Sequence, residues 1–193
     1  EFETVLAREL RDDPQAEIET FLAAPLAQRM IALELEARAA LLSEGVADAA
    51  AEALARAEAA RDPRLELIRQ IIACADVVES NVAGGLNANM AFARAMNRAG
   101  AFGGTVDERE LMAELVSDTD LMRAEVTAWL EAFLLLAYRP VAEDDLRAWL
   151  GFCRTEAGQG LIDAQFSGFD AVFTQRSDAL GRALAARMMQ RAL

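Results

Sequence analysis

Apolar residues recur at spacings of three and four along nearly the whole chain, and the two-residue alternation of a half-buried strand is missing. Met122, Val126, Trp129, Phe133 and Leu136 stand at i, i+4, i+7, i+11 and i+14, and Ile162, Phe166, Phe169 and Phe173 repeat the pattern with aromatic side chains. Each set predicts a helix that buries the stripe in a core. Alanine, leucine, arginine and glutamate dominate, and all four favour helix. The expected fold is all-α, a multi-helix bundle of about eight to ten helices, short before about residue 105 and longer after it.

Local chemistry marks where helices start and stop. Asp13-Pro14 and Asp62-Pro63 each offer a carboxylate cap followed by proline at the first helical position, where its missing N–H costs nothing. Thr105 with Glu108 reads as a capping box, and Glu143, Asp144 and Asp145 put negative charge into a first turn after Pro140. Gly45 is expected to end a helix begun near Pro25, 100–104 to form a loop, and Pro140 to end the Trp129 helix. No proline- or serine-rich linker divides the chain. The expected organisation is one domain, 1–193, or two packed halves: a repeat-like half over 1–60, connecting helices over 61–104 and a second repeat-like half over 105–193. The alanine-rich stretch from Ala47 to Ala60 comes nearest to a boundary.

An internal echo supports the two halves. Residues 21–28 (Phe-Leu-Ala-Ala-Pro-Leu-Ala-Gln) and 152–159 (Phe-Cys-Arg-Thr-Glu-Ala-Gly-Gln) share phenylalanine and glutamine seven apart, with a helix-restarting residue between them. Each octet follows an acid-led helix and precedes a long amphipathic one, the pattern of a duplicated helix–break–helix hairpin. Pro25 withholds its amide and disfavours helix in Ala24, while Thr155 can cap a helix begun at Glu156. Phe21 and Phe152 are expected to plug the corners, and Gln28 and Gln159 to reach back to free carbonyls of the preceding helices. Gly158 and Gly160 leave room for a close crossing. A corner without chemistry and a ligand or partner site built on the two glutamines are both compatible with this pattern.

Composition removes whole classes of activity. The chain has no histidine, and all 19 of its basic residues are arginine. Ser-His-Asp and Cys-His nucleophile pairs and histidine-ligated zinc are thereby excluded, as are a Schiff-base lysine and a P-loop. A formal net charge of −13 opposes binding to nucleic acid or an anionic membrane surface. The richest apolar stretch, Trp129 to Tyr138, is about half the ~18 residues of a membrane span. The chain opens Glu1-Phe2-Glu3 without methionine, as expected of a processed or trimmed product.

The polar candidates are few. Asn81, Gly84, Gly85, Asn87 and Asn89 interrupt a helical stretch, and a Gly-Gly pair costs roughly 2 kcal/mol against Ala-Ala in a helix. One account is a kink or close helix crossing. The other is a polar pocket of Glu79, Asn81, Asn87, Asn89 and Arg94 that binds a small molecule. Acidic residues are spread along helices, with Glu34–Arg38 at i, i+4 typical of a solvated face, and no two carboxylates stand out as a catalytic pair. No EF-hand loop is present. No catalytic residue, metal ligand or cofactor is expected.

The octets resemble the signature of a bacterial family known as domain of unknown function twenty-fifty-nine, which reads roughly Phe-Tyr-x-Thr/Ser-Pro-x-Gly-Gln between two helices. The second matches at Phe152, Thr155, Gly158 and Gln159 and departs at Cys153 and Glu156; the first matches at Phe21, Pro25 and Gln28. The resemblance covers about fifty residues in the C-terminal half. It implies a small exported protein with an all-helical fold and a periplasmic address, and it supplies no catalytic residue. That address bears on Cys74, which shares a face with Ile71 and Val78, and Cys153, which shares one with Leu146, Trp149 and Leu150. In an oxidising compartment the two cysteines can pair, closing a loop of about 80 residues worth roughly 4 kcal/mol on the chain-entropy model. As separate thiols they would pack as small hydrophobes.

The expected function is a non-enzymatic interaction or scaffold module of the bacterial envelope, with an unidentified protein or a second copy as partner. The alternative is a carrier or sensor of an apolar small molecule, with Met112, Met122, Met188 and Met189 as adaptable lining.

Overall fold

A computed structural model of the protein describes residues 1–10, 14–102 and 106–191. Among the described residues the chain is all-α, with no strand and ten helices. They are α1 (Phe2–Glu9), α2 (Gln15–Ala23), α3 (Pro25–Ala40), α4 (Val46–Ala60), α5 (Pro63–Cys74), α6 (Val77–Arg98), α7 (Glu108–Val116), α8 (Thr119–Ala137), α9 (Glu143–Cys153) and α10 (Glu156–Arg191).

Helix ends follow the local chemistry in most places. Asp62 caps α5, accepting the Arg64 amide at 2.8 Å with Pro63 at the first position. Pro25 opens α3 directly after Ala24, whose extended backbone (φ −67°, ψ 143°) breaks the run from α2. The expected caps at Asp13 and Thr105, and part of the expected 100–104 loop, lie outside the described residues. Asp107 caps α7 through the Arg109 amide at 2.8 Å. Gly45 plays a different part from the expected one. Helix α3 stops earlier, at Ala40, and Gly45, with φ 77°, stands at the N-cap of α4.

The length expectation fails at α6. This helix has 22 residues and runs unbroken through Gly84 and Gly85, although it precedes residue 105. Neither glycine is a close crossing point, because a Cβ would come no nearer than 3.9 Å to Asp170 Oδ1 at Gly84 and 3.8 Å to Met122 Sδ at Gly85. Contacts along the helix, such as Asn87 Nδ2 donating to Asp170 Oδ1 at 3.0 Å, offset the cost of the pair.

Contacts divide the chain into two compact units, each discontinuous in sequence, a different division from the contiguous 1–60, 61–104 and 105–193 expected. The first unit comprises 1–9, 79–123 and 163–193, and the second 10–78 and 124–162. In the second unit α3, α5, α8 and α9 surround a core that includes Met30, Ile68, Phe133, Tyr138, Leu146 and Leu150. Helix α4 adds Leu54 and Ala57 around Leu65, so the alanine-rich stretch lies inside this unit. Arg64 donates to the carbonyls of Tyr138 (3.0 Å) and Val141 (2.7 Å), and Arg29 to that of Pro140 (2.7 Å). These cations complement the carbonyl-rich end of α8.

The first unit packs on smaller side chains. Its buried residues include Val82, Met90, Ala95 and Met96 of α6 and Ala164 and Ala185 of α10. A Cβ on Gly181 would lie 2.7 Å from Phe92 O and 2.8 Å from Ala95 Cβ, so glycine sets the approach of α10 to α6 there. Gly168 leaves room for the Phe2 ring in the same way.

Candidate functional site

The two octets form two corners within the second unit, and the corners meet. Phe21 and Phe152, at the first position of each octet, stack with ring centroids 3.4 Å apart and planes at 5°. Trp149 packs beside Phe21 at 5.3 Å. The glutamines act alike: Gln28 Nε2 donates to Leu22 O and Gln159 Nε2 to Cys153 O, both at 2.5 Å, and in each case the acceptor lies six residues back. Each bond satisfies a carbonyl that the preceding helix leaves free. Gln159 does more, because its Nε2 also donates to Cys74 O at 2.9 Å and lies 3.7 Å from Cys74 Sγ. One side-chain amide thus pins the end of α5 to the α9–α10 corner. Thr155 Oγ1 accepts the Gly158 amide at 3.0 Å and donates to Phe152 O at 2.9 Å, the cap anticipated for a restarted helix. A Cβ on Gly158 would collide with Phe152 O. Both glutamine amides are spent on protein carbonyls.

A buried polar cluster adjoins the second corner. Cys153 is buried and Cys74 half-buried, and both are free thiols, so the bridge allowed by the sequence is not made. Burial first, then the neighbouring Cys74 and Glu34, pushes the Cys153 thiol up to about 12. It therefore stays protonated at neutral pH, and a protonated thiol is a poor nucleophile. Tyr138, almost fully buried, donates its hydroxyl to Glu34 Oε1. Burial raises the Glu34 carboxyl above its ordinary value, against the opposing pull of the Tyr138 hydroxyl and Arg38. The phenol is also raised, by its burial and by Glu34. In place of the solvated Glu34–Arg38 pair expected from the i, i+4 spacing, Glu34 bonds the Tyr138 hydroxyl. Arg38 instead stacks over the rings of Phe133 (4.8 Å) and Trp129 (5.9 Å). Glu131 is likewise buried, held by Arg69 Nε and Nη2 at 2.8 Å each.

The polar pocket offered as the alternative account of α6 is not assembled. Glu79 pairs with Arg123, Asn87 with Asp170 and Arg94 with Glu108, and all five candidates, Asn81 and Asn89 included, are exposed along a helix in which Glu79 and Arg94 stand about 22 Å apart. The methionines proposed as ligand lining are also dispersed: Met112, Met188 and Met189 are surface residues and Met122 lies against Gly85. A groove of about 500 Å3 lies in the second unit beside Leu33, Ala37, Leu136 and Pro140, with Glu36 and Arg139 among its lining residues. It is open to solvent and would bury only part of a ligand.

The largest departure from expectation is on α10, in the first unit. The stripe begun at Ile162 and Phe166 was expected in a core, yet Phe169 and Phe173 are 49% and 55% exposed. Leu180 and Leu184 continue it at 62% and 40%. At 100° per residue these four fall within an arc of about 60°. Only Phe2, 4.8 Å from Phe169, covers part of this face among the ring contacts of the described residues. Of the 14 large hydrophobic residues exposed among the described residues, 10 belong to the first unit.

These features define an all-α protein with a paired corner and an uncovered apolar helix face. No protein-family model, curated protein or solved structure matches the chain. No helix among the described residues is long and apolar enough to cross a membrane.

Proposed function

We propose that the protein is a helical interaction module that binds another protein chain through the apolar face of α10. The observation that carries this reading is the run of Phe169, Phe173, Leu180 and Leu184, aligned on one side of a helix and open to solvent. Large apolar side chains aligned on one side of a helix are costly to leave in water, and on a folded protein they mark a contact surface. Unit two carries the paired corner: we read its two turns as copies of one helix–break–helix hairpin, a reading supported by the matched glutamine bonds and the stacked phenylalanines. The module belongs to the bacterial envelope, an address that rests on the octet around Phe152 alone. The reading as a carrier of an apolar molecule has less in its favour, since the groove beside Leu33 and Leu136 is open and the methionines are scattered.

The test is oxidative footprinting of the α10 face in intact cells against the dilute purified chain. Protection of Phe173 and Met188 in cells is the expected result, and equal labelling in both settings overturns the reading.

A further inference from the structure

We propose that α1 is a displaceable strap over the start of the α10 apolar stripe, seated by Phe2 in a slot that Gly168 leaves open, and that a protein bound to the stripe competes with it for Phe169. The competition rests on the interaction-module reading; the strap does not. Helix α1 belongs to the same compact unit as α10. The rings of Phe2 and Phe169 lie 4.8 Å apart, centroid to centroid, with their planes at 41°. Gly168 is buried, and a Cβ there would come within 2.7 Å of Phe2 Cδ2 and 2.8 Å of Phe2 Cε2. The Phe2 ring therefore fills the space that a side chain at 168 would take, a close approach that only glycine permits.

Little else holds α1 in place. Phe2, Val5 and Leu6, at i, i+3 and i+4, are half-buried, the other residues of the helix are exposed, and none is fully buried. Among the described residues no hydrogen bond or ion pair joins α1 to another helix, and Arg8 pairs with its own neighbour Glu9. Its eight residues fall below the ~12–15 that sustain an isolated helix in water. Undocking and unfolding of α1 are thus a single local event, at the low end of the molecule's stability scale. Helix α10, with 36 residues and a close crossing on α6 at Gly181, stays formed when α1 leaves.

Release changes the stripe at one end. With α1 docked, Phe169 is 49% exposed and shares its surface between Phe2 and Phe173, the latter 6.2 Å away. With α1 gone, the Phe2 side of the Phe169 ring and the backbone at Gly168 open together, and the apolar run extends toward the start of α10. A partner that covers Phe169 fully has to take the place of the Phe2 ring, so binding is reduced by the fraction of chains in which the strap is closed.

Hydrogen exchange of the full chain, read by mass spectrometry with circular dichroism as a check on folding, tests the strap. Amides of α1 from Val5 to Glu9 are expected to be protected at least about tenfold less than those of α8, because they open locally. Phe2→Ala and Gly168→Ala should each lower α1 protection about threefold or more without changing α8. The two together should do little more than either, since both remove the same contact. Protection of α1 equal to that of α8, indifference to both substitutions, or fully additive effects overturns the strap. Where Gly168→Ala disturbs folding, Phe2→Ala alone decides. In cells, Phe2→Ala should deepen the protection of Phe173, and unchanged or weaker protection overturns the competition. If α1 responds as expected while Phe173 is labelled alike in cells and in dilute solution, the strap stands and the interaction module fails. If α1 does not respond while Phe173 is protected in cells, the strap fails and the module stands.

Discussion

Gln28 and Gln159 occupy the same octet position, yet only Gln159 ties two separate helices together, through Cys153 O and Cys74 O. Its loss should therefore cost more. Gln159→Ala leaves two carbonyls short of a donor and is expected to destabilise by about 2 kcal/mol, while Gln28→Ala, at an exposed corner, should cost under about 1 kcal/mol. Urea unfolding of the two variants measures the difference, and equal losses would contradict the tie to α5. A second expectation concerns Cys153. Burial pushes its thiol from the ordinary value of 9.0 up to about 12, so the folded state holds the proton more tightly across that window. Stability then falls as pH rises from about 9 toward about 12. Cys153→Ala should flatten that alkaline decline, and a decline unchanged by the substitution would assign it to other groups. The sequence made the corner residues readable because caps, prolines and reach-back glutamines act over a few positions. Glu34 and Tyr138 were not readable, since 104 residues separate the two and only the packing of α3 against the end of α8 brings them together.

At the scale of helices, periodicity and breakers located nearly every element, and the errors have physical causes. The Gly84-Gly85 pair looked like an interruption because glycine is a poor helix former, but α6 continues on the contacts of its flanking residues. The glycines that matter sit elsewhere. At Gly181 a methyl group would press on the backbone of Phe92, whereas at Gly84 the nearest atom would be 3.9 Å away. Gly181→Ala is expected to destabilise by about 2 kcal/mol through overpacking, and Gly84→Ala to stabilise by up to about 1 kcal/mol through helix propensity. Thermal or urea denaturation of the pair decides this, and a Gly181→Ala chain as stable as Gly84→Ala would refute the close crossing. The stripe on α10 marks the limit of pattern reading. A spacing of three and four says that one face is apolar; it does not say whether the same chain covers that face.

For the whole molecule, the two units divide the work that composition left undefined. The second unit holds the larger aliphatic and aromatic core and the paired corner, and the first carries most of the exposed apolar side chains. Excluding chemistries by counting histidine and lysine pointed toward binding, and the open α10 face gives that binding a location. A net charge of −13 opposes the approach of other acidic surfaces, so the apolar contact itself has to supply the association. The measurement that tests the central claim most directly is hydroxyl-radical footprinting of this protein in intact cells and as a dilute purified chain. Phe173 and Met188 should be labelled readily in dilute solution and several-fold less in cells, while Leu42, 89% exposed in the second unit, should be labelled equally in both. Equal labelling of Phe173 and Met188 in the two settings would contradict the account.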